Sequence, residues 1–222
     1  MVKKVKVAVI SGGERGLGFA LSLILINEGF KVFSLDVNRG HRVVGKTFLK
    51  ADISSEGDVR RTMKKIGSID LLINNAGIMR RGDIFSSSVK DFDDLFSVNV
   101  KGSWLFLKHS LSYLNKGAVV VMVSSRHSSL PINPGLYGLS KKNVELLAEL
   151  LKKESLIKKK NVFVKTAVLG PFRSELSKQG YSLREYNNRS DVLSKEVVAE
   201  KVFKLICSNK KKLSYGKKYY FS

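Results

Sequence analysis

Ser11-Gly12-Gly13-Glu14-Arg15-Gly16-Leu17-Gly18 is the stretch whose reading decides the fold. It follows at once on Val5–Ile10, a mostly apolar run that reads as a buried strand. Beyond it Leu17, Ala20, Leu21, Ile24 and Leu25 recur at helical spacing, and Gly29 reads as the cap that ends the helix. Strand, glycine-rich turn and helix, in that order, open a dinucleotide-binding unit. Glycines let the backbone approach a pyrophosphate, and the helix N-terminus offers it free N–H groups. The competing reading is a tight turn with no ligand; the placement between a first strand and a first helix argues against it.

Outward from this turn, the pattern repeats. Lys31–Leu35 is a second strand closed by Asp36, whose carboxylate can accept hydrogen bonds from the adenosine ribose. It would also repel a 2′-phosphate, which favours NAD over NADP. Arg15 and Arg39 argue for NADP, since guanidinium pairs well with phosphate; repulsion at contact is weighted more than a mobile arginine. Lys46–Lys50 is a third strand leading to Asp52 and Ile53, and Ser54 is placed to cap a helix over Ser55–Ile66. Ile69–Ile73 is a fourth strand ending in Asn74-Asn75-Ala76-Gly77. Val89–Val98 and Lys101–Leu114 read as one long or two consecutive helices joined at Asn99. Ala118–Val123, Val162–Leu169 and Leu213–Phe221 complete the strands. Helices open at Asn133-Pro134-Gly135, running to Lys153, and over Val197–Ile206. Alternating strands and helices predict a single α/β domain: a doubly wound parallel sheet, three layers deep, with the ligand crevice at the carboxyl ends of the strands. Ser177–Ser194 lacks periodicity and reads equally as a lid over a substrate or as a surface insertion.

Composition sets the outer bounds. The chain has 222 residues, 43% of them hydrophobic, enough for one sizeable core. One cysteine, Cys207, excludes an internal disulfide, fits a reducing compartment and reads as a small buried residue at a helix end. No apolar run reaches the roughly 20 residues that span a bilayer. Met1–Val7 alternates basic and apolar residues and lacks the apolar core of a signal peptide, so the expectation is a soluble cytoplasmic protein with no membrane partner. The formal charge is +21. Its lysines fall in scattered clusters with few aromatics between them, so solubilising charge is preferred over a nucleic-acid surface.

Tyr137-Gly138-Leu139-Ser140-Lys141 carries chemistry. Tyr and Lys four residues apart share one helix face. A nearby ammonium favours the phenolate, which lets a tyrosine exchange a proton near neutrality. Alone, such a pair is more often solvated surface.

With these motifs in their order, the chain resembles the short-chain dehydrogenase/reductase family. Four separated signals carry the likeness: Ser11-Gly12-x-x-x-Gly16-x-Gly18, Asn74-Asn75-Ala76-Gly77, Asn99-Val100-Lys101-Gly102, and Tyr137-x-x-x-Lys141 preceded by Ser124-Ser125. The resemblance implies a Rossmann fold and a nicotinamide cofactor, NAD with NADP as the alternative. Gly12, Gly16 and Gly18 match the cofactor turn, with Ser11 in place of the usual Thr and Arg15 and Leu17 inside it. Asp36 matches the acidic residue of NAD users, Asp52 and Ile53 the pair beside the adenine, and Asn75, Ala76 and Gly77 the segment bordering the cofactor. Asn99 matches the asparagine that holds a water against the lysine, Tyr137 the acid–base residue and Lys141 its partner, both also facing the cofactor. For the serine, the family's interval to the tyrosine points to Ser124 and its place in the strand-end pair to Ser125. Ser125 is preferred because strand ends shift less than loops; Ser128 is an outside candidate. Gly170-Pro171 inverts the family's usual order, and Ser174 stands where a Thr usually contacts the nicotinamide carboxamide. The family's glycine-rich carboxyl end is replaced by Tyr215-Gly216-Lys217-Lys218-Tyr219-Tyr220.

The resemblance implies reversible hydride transfer between the cofactor and a carbonyl or secondary alcohol. Tyr137 is the proton donor, Ser125 the hydrogen-bond donor to the reacting oxygen, and Lys141 and Asn99 support them. Arg126, His127, Phe172, Arg173 and Tyr181 are expected as pocket walls, and the basic ones suit an anionic or thioester-bearing substrate such as a 3-oxoacyl thioester. The alternative is a dinucleotide-binding sensor or nucleic-acid-associated protein that kept the fold without the catalysis. The family's helices at Val89–Leu114 and Gly138–Lys153 imply a homodimer or homotetramer. Leu139, Val144, Leu146, Leu147, Leu150 and Leu151 supply apolar surface on more than one side of the second, with burial inside the monomer as the competing reading.

Overall fold

The computed structural model describes residues 5–80, 82–129, 135–174, 176, 192–208 and 218–221. Its elements in chain order are β1 (Val7–Ser11), α1 (Gly16–Asn27), β2 (Lys31–Asp36), β3 (Lys46–Lys50), α2 (Glu56–Ile66), β4 (Ile69–Asn74), α3 (Val89–Leu95), α4 (Ser103–Ser110), β5 (Leu114–Ser125), α5 (Gly135–Lys153), α6 (Ser155–Lys159), β6 (Phe163–Leu169), α7 (Lys195–Cys207) and β7 (Lys218–Phe221). The strands form one parallel sheet in the order β3-β2-β1-β4-β5-β6-β7. The order reverses between β1 and β4, and a crevice opens there at the strands' carboxyl ends. This is the doubly wound α/β architecture that the alternation predicts.

Side-chain alternation along the strands sorts the core into two layers. Ala8 and Ile10 of β1 face α1 and α7, packing with Leu21, Leu25, Val202 and Leu205. Val9, on the other face, packs with Val59 and Met63 of α2, Phe106 of α4 and Val144 of α5. Each such fully buried large side chain contributes roughly 1.5–3 kcal/mol through the water it sheds. Because both faces of the sheet are covered, β1 and β5 read as nearly continuous apolar runs.

Several local readings change in the structure. Helix α2 is capped by Ser55, whose hydroxyl accepts from Asp58 N at 3.4 Å. Ser54 instead donates to Asp52 Oδ1 at 2.7 Å, so it belongs to the turn before the helix. Between α3 and α4, Phe96–Gly102 is a π-helical segment rather than a simple join, and Asn99 lies inside it. Strand β5 begins at Leu114, with a register shift between Ile69 and Leu71 of its neighbour. Cys207, expected to be buried, is exposed. The apolar stripe of α7 runs through Val198, Val202, Leu205 and Ile206, and position 207 falls outside it. Strand β7 is described from Lys218, and residues 213–217 of the expected strand lie outside the described residues, as do 177–191 of the expected lid. No helix among the described residues is long and apolar enough to cross a membrane.

Helix α5 divides its apolar residues. Val144 and Leu151 are buried in the monomer core, while Leu139, Leu146 and Leu150 are exposed. Val89, Phe92 and Trp104, on α3 and α4, are exposed as well.

Candidate active site

The cofactor turn is built by close packing. Gly12 and Gly16 both take positive φ, and Gly12 N donates to Leu35 O of β2 at 2.7 Å. A Cβ on Gly18 would lie 2.1 Å from Gly12 O, so any side chain there would push the turn away from α1. Ser11 is fully buried, and its hydroxyl accepts from Asn75 N at 3.0 Å and Ala76 N at 3.1 Å. Asn75 Nδ2 donates back to Ser11 O and Gly12 O, each at 3.0 Å. These bonds pin the end of β4 to the turn after β1. Ser11 and Gly18 thus shape the floor of the site rather than line it.

A cleft of about 220 Å³ opens above that floor. The turn contributes Gly12, Arg15, Gly16 and Leu17. The ends of β2 and β3 contribute Asp36, Asp52 and Ile53, and the end of β4 contributes Asn75, Ala76 and Gly77. No side chain caps the first turn of α1, so its N–H groups are left for another acceptor. Asp36 is buried on the cleft wall, where Asn38 N donates to it at 3.4 Å. Arg39 faces elsewhere. Its guanidinium stands 5.6 Å from the centre of the Phe48 ring and lines a separate cavity with Arg42 and His41. A buried ion pair, Glu14 with Lys46 at 2.9 Å, sits under that cavity, and Glu14 also accepts from Gly40 N at 2.8 Å. Together these contacts tie the glycine turn to Gly40 after β2 and to the start of β3. The charges in Gly13-Glu14-Arg15 gave no signal of this pairing, because Lys46 is remote in sequence.

A second, smaller cavity of about 70 Å³ adjoins the cleft and shares Leu17, Asn75, Phe172, Ser174 and Leu176 with it. Its walls bring together Ser125 from the end of β5, Tyr137 and Lys141 from α5, and Pro171 after β6. Tyr137 is 4% exposed, its ring edge-on to His127 at 5.8 Å and 5.9 Å from Lys141 Nζ. Lys141 Nζ donates to Val123 O at 3.2 Å, and burial pushes its pKa down from 10.5 to about 8. The lysine therefore still carries its proton at neutral pH.

The two serines separate by their partners. Ser124 also lines the smaller cavity, but its Oγ is directed at Lys141 O (3.2 Å) and Glu145 Oε1 (2.9 Å). Ser125 Oγ lies 3.0 Å from His127 Nδ1 on the cavity wall. Ser128 bonds Glu145 and does not line the cavity.

Asn99 is fully buried below this group. Its Oδ1 accepts from Ile78 N at 2.8 Å, and its Nδ2 donates to Ile78 O and Ser140 Oγ, each at 2.9 Å. A Cβ on Gly77 would sit 3.1 Å from both Asn99 Oδ1 and Lys141 Nζ. The glycine thus leaves the amide and the ammonium facing across a gap that a methyl would fill.

Of the expected wall residues, His127 and Phe172 line the smaller cavity. Arg126 and Arg173 are exposed and do not line it, and Tyr181 lies outside the described residues. The wall gains Met79, Leu169 and Leu176, so two of the three expected basic residues are absent from it and apolar side chains join His127 and Phe172 there. Sequence reading also missed Glu145. Its signal was legible: a carboxylate at i+4 from Lys141 and i+8 from Tyr137 lies on the helix face that both residues use. No group of histidines, cysteines and carboxylates with metal-binding potential occurs among the described residues.

The family model for short chain dehydrogenases matches residues 6–183. A short-chain dehydrogenase/reductase of Penicillium roqueforti, prx4, is 33% identical over 156 residues, covering 60% of this chain and 47% of its own length. The chain spans about half the length of the curated relatives it matches. Among solved structures, a short chain dehydrogenase family protein of Francisella tularensis superimposes with a TM-score of 0.85 at 24% identity, covering 98% of this chain and 97% of that one. The 3-ketoacyl-(acyl-carrier-protein) reductase of Brucella melitensis, solved with NADH, gives 0.83 at 24% identity, covering 97% and 96%.

Proposed function

The chain belongs to the short-chain dehydrogenase/reductase family, and on that premise we propose that it is a nicotinamide-dependent oxidoreductase interconverting a ketone and a secondary alcohol. One observation carries the reading: Ser125, Tyr137 and Lys141 line a single cavity that opens into the cleft of the glycine turn. The residues fit a dinucleotide. The cleft has a glycine floor, open N–H groups at a helix start and a carboxylate for ribose hydroxyls. Bound there, reduced nicotinamide supplies hydride to the carbonyl carbon.

The protein's own groups handle the oxygen. As hydride arrives, negative charge grows on that atom. Tyr137 gives it the phenolic proton, and the alcohol leaves. Ser125 donates a hydrogen bond to the same oxygen, which matters most while the charge develops. The Lys141 ammonium favours the tyrosinate that remains, which regains a proton from solvent through Lys141. A water held between Lys141 and Asn99 would continue the relay. The apolar lining from Met79, Leu169 and Phe172 suits a ketone with hydrocarbon substituents, a 3-oxoacyl thioester or a similar one. The test is NADH oxidation with ethyl acetoacetate and cyclohexanone. Absence of turnover with a broad ketone panel, beside intact NADH binding, would return the chain to a non-catalytic binder.

We take Asp36 to favour NAD and weight its repulsion of a 2′-phosphate over Arg15, which lines the same cleft. Asp36 faces the cleft, while Arg39 is turned onto Phe48. NADH should bind at least about tenfold more tightly than NADPH, a difference of about 1.4 kcal/mol. Asp36→Ala should narrow that ratio, and a wild type that prefers NADPH would overturn the assignment.

We also assign the exposed apolar residues of α3, α4 and α5 to a contact between copies of this chain, as a homodimer or homotetramer. Light scattering that returns a monomer mass would exclude it.

A further inference from the structure

Glu145 is a buried carboxylate that the proposed reaction does not use. It is 1% exposed, one turn beyond Lys141 on α5. Isolating such a charge from water costs several kcal/mol unless partners surround it. Here they come from three places. Ser124 Oγ donates to its Oε1 at 2.9 Å, and Ser128 Oγ donates to the same oxygen. Lys218 of β7 pairs with its Oε2. Burial alone would raise the Glu145 pKa, but the bonds from Lys218, Ser128 and Ser124 outweigh it and hold the group below the usual carboxylate value.

The two serines bracket Ser125. One is the penultimate residue of β5; the other ends the 3-10 turn Arg126–Ser128 after it. The same turn meets α5 at a second point. A Cβ on Gly138 would lie 2.5 Å from His127 O, so the helix and the turn touch backbone to backbone there.

We propose that Glu145 is a positioning residue for Ser125: its carboxylate, charge-balanced by Lys218, clamps the turn after β5 onto α5 and keeps the Ser125 hydroxyl on the cavity wall beside Tyr137. The inference rests on the reading of Ser125 as donor to the substrate oxygen. It is independent of which ketone is reduced.

The test combines kinetics with amide hydrogen exchange on Glu145→Ala, Glu145→Gln, Ser125→Ala and the Ser125→Ala/Glu145→Ala double variant. A displacement of about 1 Å at a reacting group costs up to about 100-fold. Glu145→Ala should therefore lower kcat for ethyl acetoacetate about 10- to 100-fold with the KM for NADH unchanged. Glu145→Gln still accepts from both serines and should recover most of that loss. In the Ser125→Ala background, removing Glu145 should cost nothing more. Exchange should accelerate at residues 125–129 in Glu145→Ala while β5 and the rest of α5 stay protected. Additive kinetic losses, a KM for NADH that rises with the fall in kcat, or unchanged exchange at 125–129 would each overturn the proposal. A wild type that reduces no ketone defeats the hydride-transfer reading alone, and the exchange measurement then decides the clamp.

Discussion

Tyr137→Phe is expected to lower kcat by about 10²- to 10⁴-fold, the range a positioned acid–base group supplies, and to leave NADH binding largely intact. The change removes one hydroxyl and no ring. Tyr137 is buried between His127 and Lys141, so the phenyl group keeps the packing that shapes the cavity. Loss of a single hydrogen-bonding group costs stability only about 1 kcal/mol, too little to unfold the domain. Stopped-flow NADH oxidation beside fluorescence titration of NADH separates the two effects. Near-normal turnover in the variant would remove Tyr137 from the chemistry, and lost NADH binding would mean that the phenol serves the cofactor rather than the substrate oxygen.

The second large effect runs in opposite directions for stability and for activity. Lys141 holds a charge inside the protein, and burial lowers its pKa from 10.5 to about 8. At ~1.4 kcal/mol per pH unit, that depression corresponds to about 3 kcal/mol of destabilisation at neutral pH. Below pH 8 both folded and unfolded chains carry the proton, and the penalty stands in full. Between pH 8 and 10.5 the unfolded chain binds more protons, so folding becomes more favourable as pH rises. Above 10.5 both forms are neutral and the penalty is gone. Lys141→Met keeps the apolar stem and discards the charge. It leaves Val123 O without its donor, at a cost of about 1–2 kcal/mol. The variant should gain about 1–2 kcal/mol at pH 7, a Tm higher by several degrees, while losing turnover. The gain should fade as pH rises toward 10.5. Parallel melting curves for both proteins across that range would refute the account.

The fold was legible because its determinants are local. Period-two and helical patterns lie within short windows, and the glycine turn declares itself between Ile10 and Leu17 in one reading. Boundaries slipped where neighbouring residues compete for one role. Ser54 and Ser55 are equal candidates for a cap by type, and only the direction of Asp52 assigns Ser54 to the turn. Asn99 was visible as a join, but not as the centre of a π-helical segment. Its side chain bonds Ile78 and Ser140, far away in sequence.

By itself, the sequence determined the alternation of strands and helices, the glycine turn with its carboxylate at Asp36, and the Tyr137–Lys141 face, since each is written within a few neighbouring residues. Tertiary structure alone decided which serine hydroxyl meets Glu145 and which meets His127, that Arg39 leaves the cleft for Phe48, and that Arg126 and Arg173 stay outside the described wall. These outcomes depend on which remote groups meet once the sheet has assembled. A buried carboxylate or a stacked guanidinium takes its orientation from those partners, and no local pattern encodes it.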